Sequence, residues 1–89
     1  MASRTPLRNT AVLDDDLGDG HILLDPRSGD YFRLEGTAAA VWELCDGVRT
    51  ESTIVAEVAR RSGAPRAQVR ADVAAFLDEC AAAGLVQFG

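Results

Sequence analysis

The sequence has no lysine: all nine of its basic residues are arginine, for which nothing in the sequence gives a physical reason. Histidine occurs once, at His21, so neither a multi-histidine metal site nor a two-histidine acid–base pair can be assembled. Beside Ile22 in a strand-like run, His21 reads as a satisfied or solvent-facing side chain rather than a ligand. Cysteine occurs twice, at Cys45 and Cys80, far apart and without a CxxC spacing. Each falls at an apolar position of a helix-like segment, where a thiol is buried and inert. No GxSxG, GxGxxG or GxxxxGK[ST] string occurs, so acyl and nucleotide chemistry have no visible cradle. The inventory lacks the parts of an enzyme, and no cofactor is implied.

Long apolar runs are missing too. None approaches the roughly 18 residues that span a bilayer, and the N-terminus lacks the basic-then-apolar plan of a secretory signal. No membrane role is expected, and the cytoplasm is the default compartment. Acidic residues outnumber basic ones 14 to 9, for a formal charge of -5, so no global positive field would hold a nucleic acid.

What is present is the composition of a folded chain, 47% hydrophobic and 26% charged, within the 89 residues of one small domain. Residues 1–6 read as a flexible N-terminal tail and residues 7–89 as a single domain. Leu7 to Leu13 suits a short strand. The following DDDLGDG, with its four carboxylates and two glycines, reads as a solvated loop. Its spacing is wrong for a calcium loop: counting from Asp14, Gly18 is fifth and Asp19 sixth, where an EF-hand needs an acidic or amide residue and then glycine. His21–Asp25 and Asp30–Leu34 read as the strands of a hairpin turned by Pro26-Arg27-Ser28-Gly29.

After Gly36 the period changes from two to about 3.6. Ala38, Val41, Trp42 and Cys45 mark a first helix, with Thr37 or Gly36 as its cap and Asp46-Gly47 as its exit. Thr50 caps a second helix with Ile54, Val55, Val58 and Ala59 on its apolar stripe, ending at Ser62-Gly63. Pro65 opens a third, carrying Val69, Val73, Phe76, Leu77 and Cys80 and stopped by Gly84. Leu85–Phe88 adds a short terminal strand. The expected architecture is α+β and winged-helix-like, with an N-terminal three-stranded antiparallel sheet followed by three helices, two of them joined as in a helix-turn-helix.

Two features bear on function. Arg60, Arg61, Arg66 and Arg70 fall in a stretch without an acidic residue, where a winged helix would read DNA. A solvated helix flank explains the same pattern, and the net charge and the Asp14–Asp19 cluster oppose the DNA reading. The other is the hairpin. A sheet of three short strands leaves an edge unpaired, and such an edge is a template for an added strand. DYFRL is the candidate, with Asp30, Phe32 and Leu34 pointing one way and Tyr31 and Arg33 the other. Only one of Tyr31 and Phe32 can face a groove.

The stretch from Ile22 to Val86 resembles the PqqD-like peptide-recognition domains that serve ribosomally synthesised, post-translationally modified peptides (RiPPs). The resemblance is carried by L-x-G-T-A-x-x-V-W-E-L-C-D-G-x-R-T (Leu34–Thr50), D-V-x-x-F-L (Asp72–Leu77) and G-L-V (Gly84–Val86). It implies a non-catalytic domain, a RiPP recognition element, that binds the leader region of a precursor peptide. In that family the leader adds as a strand and lies between that strand and the third helix. Carried over, the strand is Asp30, Tyr31, Phe32, Arg33 and Leu34. The groove wall would be Arg66, Val69, Arg70, Val73, Ala74 and Leu77 on one arc, with Asp72 alongside. A bulky or charged residue at Val73 should then weaken binding more than Arg70→Ala. The DPRSGDYF hairpin in a free-standing chain is most similar to the subgroup of lasso-peptide assembly. There the domain delivers its precursor to a cysteine-protease-like leader peptidase and then to a macrocyclising ligase. The peptide chaperone of coenzyme PQQ biosynthesis is the alternative.

Overall fold

The computed structural model describes residues 3–89 as β1 (Pro6–Arg8), β2 (Leu13–Asp16), β3 (Gly20–Asp25), β4 (Asp30–Glu35), α1 (Gly36–Leu44), α2 (Glu51–Ser62), α3 (Arg66–Ala82) and β5 (Val86–Phe88). The class is α+β, as expected, but the strands divide between two antiparallel sheets, β2-β3-β4 and β1-β5.

The β3–β4 hairpin forms where its turn chemistry dictates. Gly29 adopts φ +79° and its amide donates to the Asp25 carbonyl at 2.7 Å. The buried Asp25 carboxylate accepts from the Arg27 amide and from its guanidinium, which closes the loop from inside. In the resulting register Leu23 faces Phe32 and His21 faces Leu34, so these residues point toward the helices.

The expected first strand, Leu7–Leu13, is split. Leu7 and Arg8 belong to β1, which pairs with β5, while the outer strand of the larger sheet comes from the acidic stretch read as a loop. The cause is that the Asp14 carboxylate is not left to water. It accepts from the Trp42 indole at 2.9 Å and is bound by the His21 ring at 2.7 Å, which pins Leu13–Asp16 against β3. Only Leu17-Gly18-Asp19 remains as a turn, with Gly18 at φ +86°.

The N-terminal segment is also more ordered than its composition suggested. Pro6 is fully buried in β1, and the Arg4 guanidinium bonds Glu51 and Asp78 while lying 4.4 Å from the centre of the Phe88 ring. Met1 and Ala2 lie outside the described residues.

Thr50 caps α2 as expected, its hydroxyl accepting from the Thr53 amide, and Gly63 ends the helix in the left-handed region at φ +70°. Neither Gly36 nor Thr37 caps α1: Gly36 is its first residue and Glu35 stands at the cap. Pro65 likewise precedes α3 rather than opening it. The core is filled by Leu23, Val41, Trp42, Ile54, Val73 and Leu77 among others, each such side chain contributing about 1.5–3 kcal/mol on burial.

Candidate functional site

β4 is paired with β3 on one side only, and among the described residues no strand occupies its other edge. In an antiparallel pair, alternate residues turn their N–H and C=O groups away from the partner. The outer edge of β4 therefore presents a row of open backbone donors and acceptors. The opposite edge, on β2, is short and carries Asp14, Asp15 and Asp16, charges that discourage pairing.

Beside the open edge lies a groove of ≈ 200 Å³, bounded by β4, the C-terminal half of α3 and Leu85. Phe32 and Leu34 of β4 line it together with Phe76, Cys80 and Ala83. Arg33 and Glu79, both exposed, border this apolar trough, and the Arg33 guanidinium is bonded to Glu35. Phe32 is the aromatic that faces in, and Tyr31 points out with 72% of its surface exposed. Burial pushes the Cys80 thiol up to about 11, so it stays protonated and lines the groove as an apolar group.

The residues singled out from the sequence are not all brought together. Phe32, Arg33 and Leu34 line the groove, and Asp30 and Tyr31 continue the same strand, both exposed. On α3 the expected arc separates into two sets. Val69, Val73 and Leu77 are buried in the core, so a change at Val73 perturbs folding before it perturbs any groove. Arg66, Arg70 and Ala74 line a different cleft, against α2. Asp72 is exposed one turn before Phe76 on the same flank of α3. The wall beside β4 is instead Phe76, Glu79, Cys80 and Ala83, at spacings of three, four and seven from Phe76. Phe76 was visible in the D-V-x-x-F-L segment but read as core, because apolar residues wrap more than one flank of α3.

Among the described residues, the histidine and cysteine side chains are all occupied or buried. His21 is 4% exposed, with Nδ1 at 2.7 Å from Asp14 and Nε2 at 2.8 Å from Glu43. Burial lowers its pKa, but the two carboxylate bonds outweigh that and hold it above the usual imidazole value. Burial raises the Asp14 pKa, and the Trp42 and His21 bonds more than reverse this. Cys45 is buried, its thiol pushed up to about 12 chiefly by desolvation. Both cysteines are free. Among the described residues no three His, Cys, Asp or Glu side chains gather in a metal-binding group, and no helix is long and apolar enough to cross a membrane.

The architecture has solved counterparts. One, described as TbiB1 in complex with the TbiA(beta) leader peptide, matches with a TM-score of 0.83 at 25% identity, covering 91% of this chain and 94% of that one. A lasso peptide synthetase B1 complexed with the leader peptide matches in fold at 0.79 and 24% identity, over 93% and 98% of the two chains. The third is the PqqD truncation of Methylobacterium extorquens PqqCD, described as a functional, stand-alone RiPP recognition element. It matches at 0.71 and 28% identity, over 92% and 87%. No curated protein matches the chain. Residues 20–86 match the family model described as Coenzyme PQQ synthesis protein D (PqqD), and with 67 of its 89 residues so matched the chain belongs to the PqqD family.

Proposed function

We propose that the chain is a non-catalytic adaptor that binds the leader segment of a ribosomally made precursor peptide by adding it as a strand to β4, against α3. The observation that carries this reading is the unpaired β4 edge beside the apolar groove of Phe32, Leu34, Phe76 and Ala83. Ladder bonds along the edge supply affinity with little regard to sequence, and the trough selects an apolar leader side chain. Burying one such side chain contributes about 1.5–3 kcal/mol, against about 0–1 kcal/mol for an exposed ion pair at the rim. Two of the solved relatives support the same reading, TbiB1 by its complex with a leader peptide and the PqqD truncation as a RiPP recognition element.

In this reading the three helices and the hairpin are a winged-helix-like scaffold used to hold a peptide. The bound leader is presented to a leader peptidase and a macrocyclising ligase, in lasso-peptide biosynthesis. The DPRSGDYF hairpin is the feature that favours that pathway over coenzyme PQQ assembly.

The test is a titration of a labelled leader peptide, taken from a short precursor reading frame beside this one, against three proteins. Ala83 is exposed at the groove, so Ala83→Arg fills the trough without disturbing the core. It should weaken binding by at least about tenfold, the loss of one buried apolar side chain. Arg70→Ala, on the other cleft, should leave the affinity of the unmodified protein unchanged. Equal losses in the two variants would refute the groove, and absence of leader binding by the wild type would refute the function.

A further inference from the structure

Seven of the nine arginines donate to a carboxylate or carbonyl of the chain itself. Among the described residues only Arg66 and Arg70 make no such bond, and both line one cleft of ≈ 360 Å³ between α2 and α3. We propose that this cleft is a second docking site, which takes an acidic and partly apolar segment of a partner protein.

The chemistry of the lining sets the ligand. Arg66 and Arg70 are exposed and one helical turn apart, roughly 5–6 Å between their Cβ atoms. Carboxylates on alternate residues of an extended segment, roughly 6.6–6.8 Å apart, match that spacing. Buried Val55 and half-buried Ala74 form an apolar floor that an intervening side chain can reach. Glu51 also lines the cleft, but both its oxygens are bound by Arg4, so it leaves the two free guanidinium groups uncompensated. The first turn of α3 holds no acidic residue that would do so either.

Other occupants fit less well. A nucleic acid would meet two free cations on a chain of net charge -5, too few contacts to offset the repulsion. A second copy offering its Asp14–Asp19 hairpin would make a head-to-tail contact, which propagates rather than closes, between molecules that repel each other. An acidic segment of a different protein meets the same net charge but brings only two or three carboxylates, which the two guanidinium groups can offset locally, and it does not propagate. The cleft and the β4 groove lie on opposite flanks of the buried Val69–Val73–Leu77 stripe, so both can be filled at once. If the β4 groove holds a leader, as proposed above, this second cleft can tether the enzyme that acts on it.

The probe is the acetylated, amidated pentapeptide Glu-Leu-Glu-Leu-Glu, with Lys-Leu-Lys-Leu-Lys as control, followed by amide chemical shifts of the full chain. Saturable shifts are expected at Ser52, Val55, Arg66, Arg70 and Ala74, with none from the control. High salt should weaken them, and the double variant Arg66→Glu/Arg70→Glu at least about tenfold. Both positions are exposed, so the variant should melt with the wild type and still bind leader at β4. Shifts that do not saturate, that centre on β4, or that survive charge reversal overturn the proposal. So do stronger shifts of the same amides by a short DNA duplex, or a concentration-dependent mass in sedimentation that the double variant abolishes. Loss of leader binding with the pentapeptide shifts intact would count only against the function proposed above.

Discussion

His21 ties three elements together, and its replacement tests whether the larger sheet is held as described. Its ring lies in β3 between Asp14 of β2 and Glu43 of α1, at 2.7 and 2.8 Å. Both partners are carboxylates, which accept only, so both ring nitrogens must donate and the imidazolium is the form that fits. A hydrogen bond to a charged group contributes about 1.5–3 kcal/mol, but Asp14 and Glu43 are 33% and 47% exposed and recover water when the ring is gone. Glutamine retains one donor, so His21→Gln should cost about 1–3 kcal/mol, or about 4–24 °C in melting temperature for a domain of this size. Because the pKa of His21 is raised by folding, its contribution is complete below the unfolded value of about 6.5 and is lost as pH rises through the folded value. Asp14 acts in the opposite sense: its lowered pKa gives a contribution present above about 3.8 and lost as pH falls through the folded value. Urea unfolding of the wild type should therefore lose stability as pH rises from about 6.5 through the folded pKa of His21, by about 1.4 kcal/mol for every tenfold by which folding tightens the ring's hold on its proton. His21→Gln should be nearly flat over the same range. A wild type as flat as the variant, or a ring that titrates below 6.5 by NMR, would refute the reasoning.

Three further outcomes are expected. A Cβ at Gly20 would run into the Leu34 carbonyl oxygen, which is backbone and cannot swing aside, so Gly20→Ala should cost about 1–3 kcal/mol and weaken leader binding by displacing β4, both measurable in one denaturation and titration series. Thr50→Ala removes the cap bond to the Thr53 amide and should cost about 1 kcal/mol in thermal unfolding, with no effect on leader affinity. With thiols pushed up to about 12 and about 11, neither Cys45 nor Cys80 should react quickly with Ellman's reagent in the native protein near neutral pH; a fast native burst from either would contradict their burial.

The parts of the fold legible in the sequence are those governed by neighbours along the chain. Thr50, the Ile54–Val58 stripe and Gly63 define α2 almost to its ends, and Pro26–Gly29 places the hairpin. The parts that were not legible depend on partners far away. Asp14 looked like a solvated carboxylate because its donor on Trp42 is 28 positions on, and Arg4 looked like tail because Asp78 is 74 positions on. The open edge could be read from DYFRL, where alternation groups Phe32 with Leu34 and Tyr31 with Arg33 but leaves open which set faces in. The helix wall could not. Apolar residues cover α3 broadly, from Val69 and Val73 round to Phe76, and only packing against α1 and α2 decides which stripe is core and which flank stays uncovered. Placing Arg66 and Arg70 beside β4 had the same origin.

The pairing of Pro6 with Phe88 brings residues from opposite ends of the chain side by side, in a small sheet separate from the one that bears β4. A segment joined to either end of this small sheet thus departs from a common corner. Such an attachment need not thread past the β4 edge, and a linker joining the two ends would have little distance to cover. The domain is in this sense portable: it can be appended to a larger enzyme at either end, inserted within one, or circularly permuted, with the β4 edge still open.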